Sequence, residues 1–346
     1  MTLNTTTTQN QNGEIYYLLH KHPSKIQPFD LSFGKAYVIK FMKTIIFIIL
    51  LITLYGSVHS QINPEDSTVN IISFWEKGDK LQYKVTFETV KLTGKDTTAH
   101  ERSVSYYDVM VTKETKKSYT LKWLCTSCNI KTESQILRRL SKGCKDMKIV
   151  YETDEMGEFK KFLNMKEIKK QMEKSYKDVK KDLGSIAKMK EQIEQLEKIA
   201  LTESAIEEKG LAFIHLFHSF HGRQFKLKEL LQGDLKEPNS LGGEDFDSKF
   251  SLSLDSINFT EEFSILKMKQ VVDEEQLRKE TLNYLINMAK SMEIEPPTGE
   301  DVKNLTWLLE AKFIIYNDGW IKEVEQIKTA ADDKTKRIET MKVELE

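Results

Sequence analysis

What this chain has little of narrows the field first. It has only three cysteines and six prolines in 346 residues, and it has no charge excess: 52 basic against 53 acidic side chains, net −1. A nucleic-acid binder carries a strong basic surplus, so that class is excluded as an obvious reading. No GxSxG, P-loop or GxGxxG string occurs, which removes the usual nucleophile elbow and the phosphate cradles. Cys125-Thr-Ser-Cys128 with Cys144 downstream lacks a fourth ligand at zinc spacing. A thioredoxin-type site calls for a βαβ context and a nearby proline, and none lies between Pro64 and Pro238. What is left for Cys125, Cys128 and Cys144 is a structural disulfide with one cysteine over; a CxxC closure and a Cys144 bridge are both open.

Only one long apolar run exists. Ile45 to Tyr55 follows Lys40 and Lys43, is broken by Gly56-Ser57, and ends with Val58 and Ser60 at the −3 and −1 positions of a cleavage site before Gln61. This is the three-part pattern of a secretory signal peptide over residues 42–60. A run of eleven residues interrupted only by Thr53, at about 1.5 Å each, spans about half of a roughly 30 Å hydrocarbon core, too little for a transmembrane helix. Signals sit at chain starts, so Met42 reads as the true start and 1–41 as a spurious leader. The mature chain then has 346 − 60 = 286 residues, with 52 − 5 = 47 basic and 53 − 2 = 51 acidic side chains, net −4. Localisation is expected to be secreted or periplasmic, with no stable membrane span after cleavage.

The mature part, 61–346, reads as one α+β domain. Alternation over Asp79–Leu92, Ser103–Val111, Ser118–Cys125 and Met147–Tyr151 predicts antiparallel strands. A phase slip at Tyr107-Asp108 predicts a bulge that leaves Val104 and Tyr106 in phase with one face. From Asn164 the apolar period becomes helical: Met165 to Leu183, a Gly184-Ser185 break serving as C-cap then N-cap, Ile186 to Ile199, and a third stretch over Leu211–Phe220. Ser175 and Asp182 fall where a coiled-coil seam would need apolar residues, so the helices are expected on the face of a sheet. The Lys-rich side of 166–181 reads as solvated. Strands return at Phe250–Leu254 and Glu262–Val271, a helix at Asp273–Met292, a hairpin across Asn317-Asp318-Gly319, and a closing strand at Arg337–Leu345. Strands at both ends of a chain join one sheet, so the expected fold is a curved antiparallel sheet of N- and C-terminal strands packed against a central helical layer at about 165–222.

No catalytic, cofactor or metal residue is assigned. His215, His218 and His221 fall three apart, about 60° back each time on a helix, so one ion cannot take all three. Cationic histidine near a helix C-terminus accounts for them. Carboxylates at Glu244-Asp245-Asp247 and Asp332-Asp333 lie in loops and read as solvated charge.

Several segments together resemble a family of uncharacterised exported proteins of the Bacteroidetes type. They are Ser60-Gln61, Trp75-Glu-Lys-Gly-Asp79, Tyr151 through Phe159, Asn239 through Gly243, and Asp318-Gly-Trp320. The layout is also similar to lipoprotein-carrier-like half-barrels, in which a curved sheet wraps helices around an apolar cavity. That resemblance implies a fold, and with Met-, Phe- and Ile-rich helices it implies a non-enzymatic protein that binds a lipid or other apolar ligand. The alternative is an exported hydrolase using His215 or His218 with a distant carboxylate.

Overall fold

A computed structural model describes residues 7–9, 15–17, 61–239 and 244–346. The expected signal segment and cleavage residue Ser60 lie outside the described residues, as does nearly all of the leader; Gln61 is described. The chain divides into two units, Met1–His59 and Ser60–Glu346. Of the first, strands β1 (Thr7–Gln9) and β2 (Ile15–Tyr17) pair as an antiparallel hairpin.

The second unit is built on one open antiparallel sheet of eleven strands. Its N-terminal half comprises β5 (Lys80–Thr93), β6 (Asp96–Thr115), β7 (Ser118–Lys131), β8 (Lys148–Asp154) and β9 (Phe159–Phe162). Its C-terminal half comprises β11 (Leu230–Glu237), β12 (Phe246–Asn258), β13 (Phe263–Val272), β14 (Thr306–Tyr316), β15 (Ile321–Ala331) and β16 (Thr335–Leu345). The halves join where β16 pairs with β5, Val343 opposite Val85 and Met341 opposite Phe87. This is the expected α+β class, with the N-terminal and C-terminal strands of the 61–346 region meeting in one sheet. The outermost strands β9 and β11 carry Lys160-Lys161 and Asp234, Lys236, Glu237, charges that discourage further strand addition.

One face of the sheet is the core, because its residues recur at period two. Tyr83 and Val85, then Tyr107, Val109 and Val111, then Leu121, Trp123 and Cys125, then Ile149 and Tyr151 are all buried. The expected bulge is real but sits elsewhere. Tyr106 pairs with Ser127 and Tyr107 with Cys125, so the extra residue is Thr126 on β7. On β6 the burial pattern runs through Ser105 and Tyr107, and Val104 and Tyr106 face the other way. The period on β6 is unbroken there; apolar residues on both faces mimic a slip.

The helices are distributed differently from a single layer. Helix α1 (Gln135–Leu140) was not legible in the sequence. It packs Ile136 with Tyr176, Val179 and Leu183 of α2 (Met165–Leu183) and Ile193 of α3 (Ala187–Ala200) in a separate small core. Only Ile168 and flanking Met165 and Met172 of α2 reach the main core. The N-cap of α3 is Ile186, without a side-chain cap bond, and not Ser185. The helix that lies on the sheet is α4 (Ala212–Phe217), in which Phe213, Ile214, Leu216 and Phe217 are buried. Helix α5 (Glu274–Met292) starts at Asp273, whose carboxylate accepts from the Gln276 amide, and packs Leu277 on Phe246 and Val272. A second sheet, missed in the sequence, is β3 (Ile62–Asn63), β4 (Thr68–Ile71) and β10 (Arg223–Lys226). No helix among the described residues is long and apolar enough to cross a membrane.

Candidate functional site

Helix α4 positions everything that follows. Its sequence, Ala-Phe-Ile-His-Leu-Phe, is apolar almost all round, so it sinks into the sheet. Phe213 meets Tyr107 and Trp123 at 5.3 and 5.4 Å, and Phe217 meets Tyr83 and Trp123 edge-on at 5.4 Å. Trp123 and Tyr83 stack at 5.4 Å. Such pairs add about 0.5–1.5 kcal/mol each beyond the area they bury.

Beyond α4 the chain turns through His218 and His221, both buried. His218 Nδ1 lies 2.7 Å from the Gly157 carbonyl oxygen. A carbonyl only accepts, so Nδ1 carries the proton and Nε2 is the acceptor in the neutral ring. Tyr151 then donates to Nε2 across 2.9 Å and accepts from Trp123 Nε1–H at 3.0 Å. His221 Nε2–H donates to the Gly319 carbonyl at 2.9 Å, and its Nδ1 is buried without a partner. Burial pushes both imidazoles down, His218 well below its ordinary range and His221 to about 4. The nearby second ring adds to the effect on His218, and the Gly157 bond opposes it. Both carbonyls come from turns that require glycine. Gly157 and Gly319 have φ of +91° and +83°. A Cβ at Gly157 would strike Ser73 and the His221 ring; one at Gly319 would strike the Ile72 backbone. Trp75 completes the cluster, stacked on Trp320 at 4.6 Å and edge-on to His221 at 5.5 Å.

The three histidines therefore have separate places. His218 spends both ring nitrogens on structural bonds in the core, which argues against its use as an exchanging acid–base group. His215 is half-exposed, 3.2 Å from Glu207, and flanked by Phe159 and Phe162 at 4.6 and 5.7 Å. Of these three histidines, His215 is the one recorded in an ion pair with a carboxylate. Among the described residues no three His, Cys, Asp or Glu side chains are placed to hold a metal ion. Cys125, Cys128 and Cys144 are free thiols. The Glu244-Asp245-Asp247 and Asp332-Asp333 groups lie away from this cluster; Asp247 pairs with Lys236, and Asp333 accepts from Asn304.

On the outer side of α4 the core face of the sheet is left partly open. A groove of about 580 Å³ runs there between α4 with Glu208-Lys209 and strands β15, β16 and β5. The sheet register sets its floor. Gln326, Met341 and Phe87 form one cross-strand row, and Lys328, Glu339 and Thr89 the next. Met341, Phe87, Ala212 and Leu216 make an apolar bed; Lys328, Glu339 and Lys209 give it a polar margin. Lys328 is fixed 3.6 Å from Glu237 and over the Trp307 ring at 5.8 Å. A smaller depression of about 350 Å³ is lined by Leu230, Leu252, Met268, Ala311 and Ile327 together with Lys267, Lys312, Glu310 and Glu325. Of the groove residues, His215 was singled out in the sequence as a candidate acid–base group; the apolar bed was not. Alternation on β5 and β16 marks Phe87 and Met341 as inward-facing, but nothing in it says that a groove opens there beside the helix that sets Phe213 edge-on to Phe87.

The fold thus defines an open antiparallel α+β sheet protein with helices on one face and an amphipathic groove beside one of them. The family described as the RNA repair, ligase-Pnkp-associating, region of Hen1 matches residues 1–45, within the first unit. No curated protein matches the chain. A solved structure entitled "Lipid-protein interactions in lipovitellin" aligns at 10% identity and a TM-score of 0.40, covering 78% of this chain and 25% of that one. This chain thus spans about a quarter of the lipovitellin chain, and the functional reading rests on the residues described above.

Proposed function

We propose that this is a non-enzymatic binding protein for a lipid or other amphipathic ligand, held in the groove beside α4. The observation that carries the reading is the half-open apolar bed of Phe87, Met341, Ala212 and Leu216 with charged Lys328, Glu339 and Lys209 at its margin. That combination suits a chain-like apolar body with a polar end, and the volume is in the range of small-ligand sites. Native mass spectrometry of protein purified without detergent should show a bound lipid, and Met341→Lys should remove it while the fold persists by circular dichroism. A clean apo mass for the unsubstituted protein, with no displaceable fluorescent fatty acid, would defeat the proposal.

The proposal includes export, through the signal pattern of residues 42–60. N-terminal sequencing of protein recovered outside the cytoplasm should begin at Gln61; a chain beginning at Thr2 would contradict it. The second reading, a hydrolase, is favoured by the His215–Glu207 pair at the groove. It requires that His215→Gln abolish any ester hydrolysis found there.

A further inference from the structure

Helix α2 carries seven lysines against four carboxylates, a surplus of three in a chain whose net charge is −1. The surplus is not spread evenly round the helix. At about 100° per residue, the buried Ile168, Tyr176, Val179 and Leu183 fall within an arc of about 80°. Lys166, Lys170, Lys174, Lys177 and Lys181 fall within a second arc of about 80°, nearly opposite the first, and no carboxylate of α2 shares it. Both intervening flanks are taken. On one, Asp182 pairs with Arg139 of α1 at 2.6 Å, and Gln171 donates to the Gly143 carbonyl of the turn after α1 at 3.0 Å. On the other, Lys180 pairs with Glu197 of α3. The neighbours thus meet α2 on its sides and leave the lysine stripe facing out. All five lysines are exposed. Among the described residues none of them has an ion-pair partner; the ion pairs of α2 fall to Lys180 and Asp182.

Solvation alone does not call for this arrangement. Lys166 and Lys170, Lys170 and Lys174, and Lys177 and Lys181 are like charges four apart, a spacing at which repulsion weakens a helix. Helix α5 does the reverse, setting Arg278 four residues after Glu274 at 3.6 Å. Mixed charge keeps a face wet without that repulsion; a stripe of one sign is relieved by an anionic partner. We infer that this face of α2 docks on an anionic lipid bilayer. Its five lysine positions span about 22 Å along the helix axis, and basic clusters of that size on an amphipathic helix suit a flat field of headgroup phosphates. Exposed apolar side chains stand at both ends of α2, Leu163 before it at 46% and Ile186 after it at 50%. They gain from the acyl boundary of a bilayer and gain nothing from a nucleic-acid backbone. The rest of the chain is net acidic, so it repels the same surface and leaves α2 as the contact. The inference does not rest on the groove beside α4, whose lining comes from other elements.

The test sediments the full chain with two vesicle preparations, phosphatidylcholine alone and phosphatidylcholine mixed with phosphatidylglycerol in equal parts. The natural chain should favour the mixed vesicles. That preference should collapse between about 0.1 and about 1 M salt, as the screening length shortens from about 10 to about 3 Å. Each lysine beside an anionic surface contributes about fivefold to the binding constant. K170Q/K174Q should therefore lower binding to the mixed vesicles about twenty-five-fold, and K166Q/K170Q/K174Q/K177Q/K181Q at least about a hundredfold. A chain of the same net charge as the latter, with Lys95, Lys116, Lys249, Lys279 and Lys290 changed to Gln at exposed positions elsewhere, should keep the preference. Equal binding of the natural chain to both preparations, equal losses in the stripe and control chains, or tighter binding of a duplex DNA than of the mixed vesicles would each overturn the assignment. A chain that favours the mixed vesicles yet purifies without lipid would uphold this surface and count only against the groove ligand.

Discussion

Lowering the pH from 7 toward 4 is expected to destabilise the 61–346 unit by about 3 kcal/mol through His221 alone, with His218 adding in the same direction. In the unfolded chain an imidazole takes up its proton near 6.5, whereas burial holds the folded His221 down to about 4. Between those values the unfolded state binds more protons, so stability falls as the pH drops. The contribution is absent above about 6.5, and the loss levels off below the folded value. Asp154 and the Gly319 carbonyl work against the shift at His221, and burial outweighs them. Carboxylates held low by their partners, such as Asp154 and Asp332, lose their contribution only below the ordinary carboxylate range. The interval between pH 6.5 and 4.5 therefore reports mainly on the histidines. Urea midpoints across that interval should fall steeply for the natural chain and less steeply for His221→Gln. An unchanged slope in the variant would refute this account.

Trp123→Ala should cost about 3–5 kcal/mol, the usual range for deleting a large buried aromatic. Trp123 has no exposed surface and touches Tyr83, Tyr107, Phe213 and Phe217 at ring separations of 5.4 to 5.6 Å. Its N–H also supplies the first link in the chain through Tyr151 to His218. Trp123→Phe keeps most of the packing and removes that donor, so a loss of about 1–2 kcal/mol is expected. Ile199→Ala, at a position 62% exposed, serves as the control and should stay within about 0.5 kcal/mol. Denaturant unfolding followed by circular dichroism orders the three. Equal losses for Trp123→Ala and Ile199→Ala would mean that α4 does not anchor on the sheet as described.

Several features were legible from local pattern. Strands β5 to β8 and β12 to β16 alternate strongly, since one face is buried and the other wet. Asp273 and the Pro296-Pro297 pair bracket α5 from its two ends. Other features left little trace. β3, β4 and β10 are two to four residues long, too short for a period to emerge. The slip attributed to β6 belonged to β7, because a bulge is a mismatch between two strands and one strand seen alone does not show on which side the extra residue lies.

By itself the sequence determined the α+β class, the union of N- and C-terminal strands of the 61–346 region in one sheet, and the absence of the familiar catalytic strings. Those follow from period, composition and order along the chain. Tertiary structure alone decided the rest. It buried His218 and His221 against the carbonyls of two glycine turns, far apart in sequence. It left His215 at the margin with Glu207. It opened a groove beside α4 over Phe87 and Met341. Each of these depends on which distant segments meet. That is settled by packing over the whole sheet, which no local window of sequence records.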